Sequence, residues 1–145
     1  MPPVVRLARA ADGPRVWQLL QQFAASYVPD DAAFAETFPR ICANRNALFI
    51  VADDGDAAVG YLVAVELPTF FANGPILEIV ELVVDEPRRG VGLGKALVEY
   101  ALNVAWQHGC IEVVVPTRRA TAFYERLGFS KSADLLKLKK SEFAS

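Results

Sequence analysis

Histidine and cysteine are nearly missing from this 145-residue chain, which has one His and two Cys. Cys42 and Cys110 stand far apart and in no metal-ligand spacing. That excludes a disulfide framework or a zinc site, so no metal is expected and both cysteines read as buried thiols. The lone His108, in Gln107-His108-Gly109, reads as the end of a helix before a glycine stop rather than as a catalytic group. No apolar run approaches the ~18 residues of a membrane-spanning helix, and Met1-Pro2-Pro3-Val4-Val5-Arg6 is not an apolar leader. The expectation is a cytoplasmic protein without a membrane partner. Net charge is −2, and only Lys137-Leu138-Lys139-Lys140 forms a basic run, which leaves a nucleic-acid partner unsupported.

What is present is apolar content of 53%, ample for one buried core, and the length fits a single domain over residues 1–145. A strand is expected at Val4 to Ala8, then a helix opened by Asp12-Gly13-Pro14 with Val16, Leu19, Leu20 and Phe23 on one face. Pro29-Asp30-Asp31 opens a second helix with Phe34, Phe38 and Ile41 at helical spacing. Strands at Leu48 to Ala52 and Val59 to Leu67 are joined through Asp53-Asp54-Gly55-Asp56, and a third runs from Ile76 to Val84. A long helix repeats Leu93, Leu97, Ala101 and Val104. A short strand at Ile111 to Val115 and a last helix follow, and Phe129 to Lys139 is expected to supply two short closing strands. The order β-α-α-β-β-β-α-β-α-β predicts an α+β (mixed α/β) fold with helices on both faces of a mixed sheet. Residues 1–75 carry five Arg against eight acidic residues, whereas 76–145 carry ten basic against nine acidic. The sign fits an anionic cofactor in the second half and a cationic amine near the first.

The densest signal is Pro87-Arg88-Arg89-Gly90-Val91-Gly92-Leu93-Gly94-Lys95-Ala96-Leu97, a glycine-rich turn between strand and helix. Such a turn aims backbone N–H groups and the helix dipole at one point, where an anion fits. Glycines allow close approach, and Arg88, Arg89 and Lys95 add charge. A nucleotide P-loop fails here because Arg89 stands where its first glycine belongs and Ala96 where its hydroxyl belongs. The dinucleotide fingerprint fails because Lys95 replaces its third glycine. The remaining pattern, R-x-x-G-x-G at Arg89, Gly92 and Gly94, resembles the acyl-CoA pyrophosphate loop of the GNAT superfamily of N-acetyltransferases; on this motif alone a turn without a ligand is the alternative.

A second block strengthens the resemblance. Thr117-Arg118-Arg119-Ala120-Thr121-Ala122-Phe123-Tyr124-Glu125-Arg126-Leu127-Gly128-Phe129 resembles the family's N-x-x-A-x-x-F-Y-x-x-x-G-F element, with Thr117 in place of the usual asparagine, where its hydroxyl can cap the helix. The resemblance implies a mostly antiparallel twisted GNAT-type sheet and acetyl-CoA as acyl donor. It places the cofactor on Arg89, Gly90, Val91, Gly92, Leu93, Gly94 and Lys95, on strand residues Leu82, Val83 and Val84, and on Thr117, Ala120, Phe123 and Tyr124.

Moving an acetyl group from a thioester to an amine needs a neutral amine, a stabilised oxyanion and a proton for the departing thiolate. Tyr124 matches the tyrosine that many family members place near the thioester sulfur as general acid; a tyrosine packed on the core is the alternative. Glu78 and Glu81 interrupt an apolar strand, where a lone buried carboxylate is costly, and alternation points them to opposite faces unless a bulge intervenes. The family's bulge is expected around Val83 and Val84. Glu78 then lies on the face of Leu82 and Val84 and is the expected base, acting itself or through a bridging water, with Glu81 in reserve; salt-bridged strand carboxylates are the alternative. The Leu82 N–H is the expected oxyanion donor. Tyr27, Phe70 and Phe71 flank loops and are expected to grip the acceptor, Phe70 and Phe71 alternatively meeting a second copy in a homodimer. Trp17 and Phe23 read as core.

These features make the leading expectation an acetyl-CoA-dependent N-acetyltransferase acting directly on a primary amine, since neither cysteine lies beside the expected thioester position. Two alternatives are a non-catalytic CoA-binding regulatory module, and a toxin-like aminoacyl-tRNA acetyltransferase, which the lack of a basic surface disfavours.

Overall fold

β-Branched and aromatic residues crowd the segment 47–84, and in the computed structural model, which describes residues 2–23 and 27–143, this segment forms the centre of a five-stranded sheet. The strands are β1 (Val4–Leu7), β2 (Ala47–Asp53), β3 (Ala58–Leu67), β4 (Ile76–Val84) and β5 (Glu112–Val114), paired in that order. All pairs are antiparallel except β4 with β5. The helices are α1 (Gly13–Phe23), α2 (Asp31–Ala43), α3 (Leu93–Gln107) and α4 (Thr121–Arg126). The chain divides into two compact units, residues 1–115 with the sheet and residues 116–145 with α4.

Both faces of the central strands are covered, which is why β2 and β3 read as nearly unbroken apolar runs. Val16 and Leu19 of α1 pack on Phe49, Val51, Tyr61 and Val63, with Phe34, Phe38 and Ile41 of α2 against the same cluster. On the opposite face, a Cβ on Gly60 would stand 3.3 Å from Leu97 of α3, so the strand's lack of a side chain there admits the helix. The buried stripe of α3 runs through Leu93, Leu97, Ala101 and Ala105. His108 caps its C-terminus, with Gly109 at φ +79°, as the helix-end reading required.

Two expectations fail. Residues 129–139 form no strands: they carry no one-sided apolar pattern, Leu135 and Leu136 being adjacent, and Ser130 to Lys139 are exposed throughout. Cys42 is exposed, because Ile41 takes the inward position on α2 and the next residue turns away; Cys110 is buried as expected.

Asp12 is the one buried charged side chain among the described residues, and it is fully engaged. Arg6 of β1 forks onto its two carboxylate oxygens at 2.9 Å each, the Arg9 N–H donates at 2.8 Å, and Arg6 Nε reaches Asp53 of β2 at 3.0 Å. The edge strand, the start of α1 and the β2–β3 turn thus share one guanidinium. The Arg6 hydrogen bonds hold the Asp12 carboxyl below its ordinary 3.8. Its contribution to stability is therefore full above pH ~4 and lost as pH falls through the folded value. Asp12→Asn is expected to lower the melting temperature at pH 7, with the gap to the parent closing as the pH of the melts is taken down toward 3.

Candidate active site

β4 carries one residue more than the β3 it pairs with: Val63 faces Glu81 whereas Ala64 faces Ile79, which leaves Val80 unpaired. This bulge reverses the alternation between the two glutamates. Glu78 lies opposite Val65 and Glu81 opposite Val63, so both share the α1/α2 face with Tyr61 and Val83. Two expectations are corrected here. The bulge sits at Val80 rather than around Val83 and Val84, and Glu78 does not share a face with Leu82 and Val84.

The helices and the sheet leave a cavity of about 220 Å³ on that face. Phe49, Tyr61 and Val63 form its floor, Phe34 and Phe38 a wall, and Glu81 supplies a carboxylate. The rings brace one another: Trp17 on Phe34 at 5.3 Å, Phe34 on Phe38 at 5.4 Å, Phe38 edge-on to Phe49 at 5.6 Å, Phe49 edge-on to Tyr61 at 6.1 Å. Tyr61, 2% exposed, donates its hydroxyl hydrogen to Glu81 Oε1 at 2.8 Å. Burial, and then the Glu81 charge, push the Tyr61 phenol far above its ordinary value, so it stays a donor.

Glu78 pairs in register with Val65 and Val114 and does not line this cavity. Tyr27, Phe70 and Phe71 are exposed and stand outside the lining as well, and Phe23, read as core, is also exposed. Phe34, Phe38 and Tyr61 take the lining positions. Their signal was present in sequence, as an aromatic pair at i, i+4 and a tyrosine in an apolar strand, but core packing gives the same pattern.

Beyond Glu78, no strand among the described residues pairs with the outer side of β4. The Asp85 N–H donates to Val59 O at 2.9 Å, so alternate residues Leu82 and Val84 turn their backbone groups away from β3, toward that open side. The turn that follows is anchored. Arg15 and Gln22 of α1 both reach Asp85 at 2.9 Å, the Glu86 N–H donates to Gln22 at 2.9 Å, and Arg88 pairs with Asp54 at 2.7 Å. Arg89 Nε donates to Val84 O at 3.1 Å. Gly90 and Gly92 have φ of +83° and +89°, and a Cβ on either would meet nothing within 4 Å. Gly92 caps α3 without a side-chain partner, and the first bond inside the helix is Ala96 N–H to Gly92 O at 3.0 Å. The N–H groups of Leu93, Gly94 and Lys95 precede that bond and so have no partner inside the helix. The space that a Cβ would take at Gly90 and Gly92 is empty, which leaves room for an anion beside these groups.

In the second unit, Thr117 accepts from the Ala120 N–H at 3.1 Å, so its hydroxyl forms the turn leading into α4 while Ala120 takes the cap position. Tyr124 sits edge-on between Phe123 at 5.0 Å and Phe129 at 5.3 Å. Burial pushes its phenol up to about 12, so it carries its proton throughout the neutral range.

Comparison with known proteins decides the family. The acetyltransferase (GNAT) family matches residues 14–129, and a rice protein, glucosamine 6-phosphate N-acetyltransferase 1 from Oryza sativa subsp. japonica, is 32% identical over 116 residues, 77% of this chain and 70% of its own. The chain belongs to the GNAT family. A solved transcriptional regulator from Bacillus halodurans C-125 superposes with a TM-score of 0.85 at 26% identity, over 94% of this chain and 99% of that one. The solved glucosamine-6-phosphate N-acetyltransferase from Arabidopsis thaliana shares the fold with a TM-score of 0.82 at 22% identity, over 97% and 99%. This GNAT chain is an acyltransferase, of a family that uses acetyl-CoA as donor. The left-handed glycines give a direct check on the turn: Gly92→Ala is expected to destabilise the fold by ~1–2 kcal/mol in urea unfolding, the cost of αL for a residue with a Cβ.

Proposed function

We propose that this chain moves the acetyl group of acetyl-CoA directly onto a primary amine. Glu81 carries the reading: a carboxylate held at one oxygen by a buried phenol, facing a cavity of small-molecule size, one residue before a backbone group on an open strand edge. Acetyl-CoA, when bound, supplies the thioester-activated acetyl group. The N–H groups following Gly92 would hold its pyrophosphate, with Arg89 and Lys95 adding charge, and the backbone of Leu82 and Val84 would line its arm.

An alkylamine is protonated in neutral water and must lose a proton before it attacks. Tyr61 occupies Oε1 of Glu81, which leaves Oε2 to take that proton, itself or through a water. The Leu82 N–H, on the open side of β4, would donate to the acetyl oxygen as it gains charge. Tyr124, protonated at neutral pH, would be the proton source for the departing thiolate, as the family resemblance implies. Neither Cys42 nor Cys110 lines the cavity, which favours direct attack over an acyl-enzyme.

Calorimetric titration with acetyl-CoA tests the donor, and variants test the roles. Glu81→Gln is expected to lower kcat/KM for the amine by ~10²-fold or more with acetyl-CoA affinity unchanged, whereas Glu78→Gln stays within a few-fold of the parent. Full activity in Glu81→Gln would remove Glu81 from the chemistry. Tyr124→Phe should lower kcat by ~10²-fold with acetyl-CoA binding nearly intact; a parental kcat would take Tyr124 out of the mechanism.

A further inference from the structure

The cavity beside Glu81 has an uneven chemistry. Its floor and wall are hydrocarbon and aromatic, its two ionisable carboxyls are Glu81 and Asp30, and no Lys, Arg or His lines it among the described residues. The guanidiniums on the two helices that line it are committed elsewhere, Arg15 of α1 to Asp85 and the Ala58 carbonyl, and Arg40 of α2 to the exposed Glu36. The N-terminus of α2 already carries a negative charge, because the Asp30 carboxylate accepts from the Ala33 N–H at 2.8 Å. An anionic group would enter this space with the Thr37 hydroxyl but no cation to meet it, and a carboxylate opposite.

We propose that the acceptor is a hydrophobic primary amine, a cationic head on a compact aromatic or aliphatic body, and that amines carrying a phosphate are rejected. This acceptor class presupposes the acetyltransferase reading above. It separates the chain from the rice relative, whose name specifies a phosphorylated amino sugar. Size agrees: an apolar cavity of ~150 Å³ holds benzene, and one of about 220 Å³ has room for a ring and a short tether. The head would reach Glu81 while the body lies among Phe34, Phe38 and Phe49, which brace one another and need no reordering to receive it.

The test compares 2-phenylethylamine with glucosamine 6-phosphate in two assays on the full chain: initial rates at fixed acetyl-CoA, and calorimetric titration of each amine without donor. The expected kcat/KM favours 2-phenylethylamine by at least ~100-fold, and only that amine gives binding heat. Equal or reversed preference overturns the proposed acceptor class and leaves the transferase reading standing. Binding of 2-phenylethylamine without acetylation of either amine supports a hydrophobic amine as the ligand of the cavity but overturns its role as acceptor, together with the transferase reading. If 2-phenylethylamine neither binds nor is acetylated, the proposal is overturned. Thr37→Arg adds a cation to the lining from an exposed position on α2 and is expected to narrow the preference by ~10-fold or more; an unchanged ratio counts against the charge argument.

Discussion

Much of this molecule hangs on one unpaired residue. Val80 has no partner on β3, and the parity of everything C-terminal to it in β4 follows from that. Without the extra residue Glu81 would turn to the α3 face, beneath a helix whose buried stripe is wholly apolar. With it, Glu81 comes within reach of Tyr61, and Leu82 carries its backbone groups to the side that β5 leaves open. Side-chain chemistry and main-chain chemistry are thereby set one residue apart on one strand.

A carboxylate on an apolar sheet face needs compensation, and here it comes from a single phenol rather than from a cation. Tyr61 is diagonal to Glu81 across the β3–β4 ladder and is fixed by the edge of Phe49. A neutral donor leaves the charge of Glu81 undiminished toward the cavity, which a salt bridge would not. The rigidity behind the pair comes from α1, whose apolar side covers Phe49 and Tyr61 while its polar side grips Asp85 and Glu86. One helix therefore fixes both the floor of the cavity and the start of the glycine turn.

The strands, α1, α2 and α3 were legible because each carries its own period: alternation or unbroken apolar runs in the sheet, i, i+4 spacing in the helices, and Asp30 and Gly109 as end signals. The glycine turn was legible because positive φ at Gly90 and Gly92 is a backbone requirement written in residue type. The bulge was misplaced because Ile76–Val84 gives no glycine or proline to mark it; a register shift is decided by what lies across the strand, and sequence order alone does not hold that information. The same gap hid Tyr61 and Phe38, whose core-like spacing is also the spacing of a lining, and drew attention to the exposed Phe70 and Phe71. The closing strands failed for a further reason: a strand exists only with a partner, and residues 129–139 offered β-compatible residues without a face.

The pairing of Arg88 with Asp54 alters what kind of attraction the glycine turn exerts. Of the three cations around it, Arg88 is neutralised by the β2–β3 turn and Arg89 spends one nitrogen on a strand carbonyl, so Lys95 stands as the least committed full charge. Much of what would face an anion there is a set of oriented peptide dipoles at short range, whose field falls off within a helical turn. An anion held at this turn, as proposed, would be selected by local fit more than by distant pull.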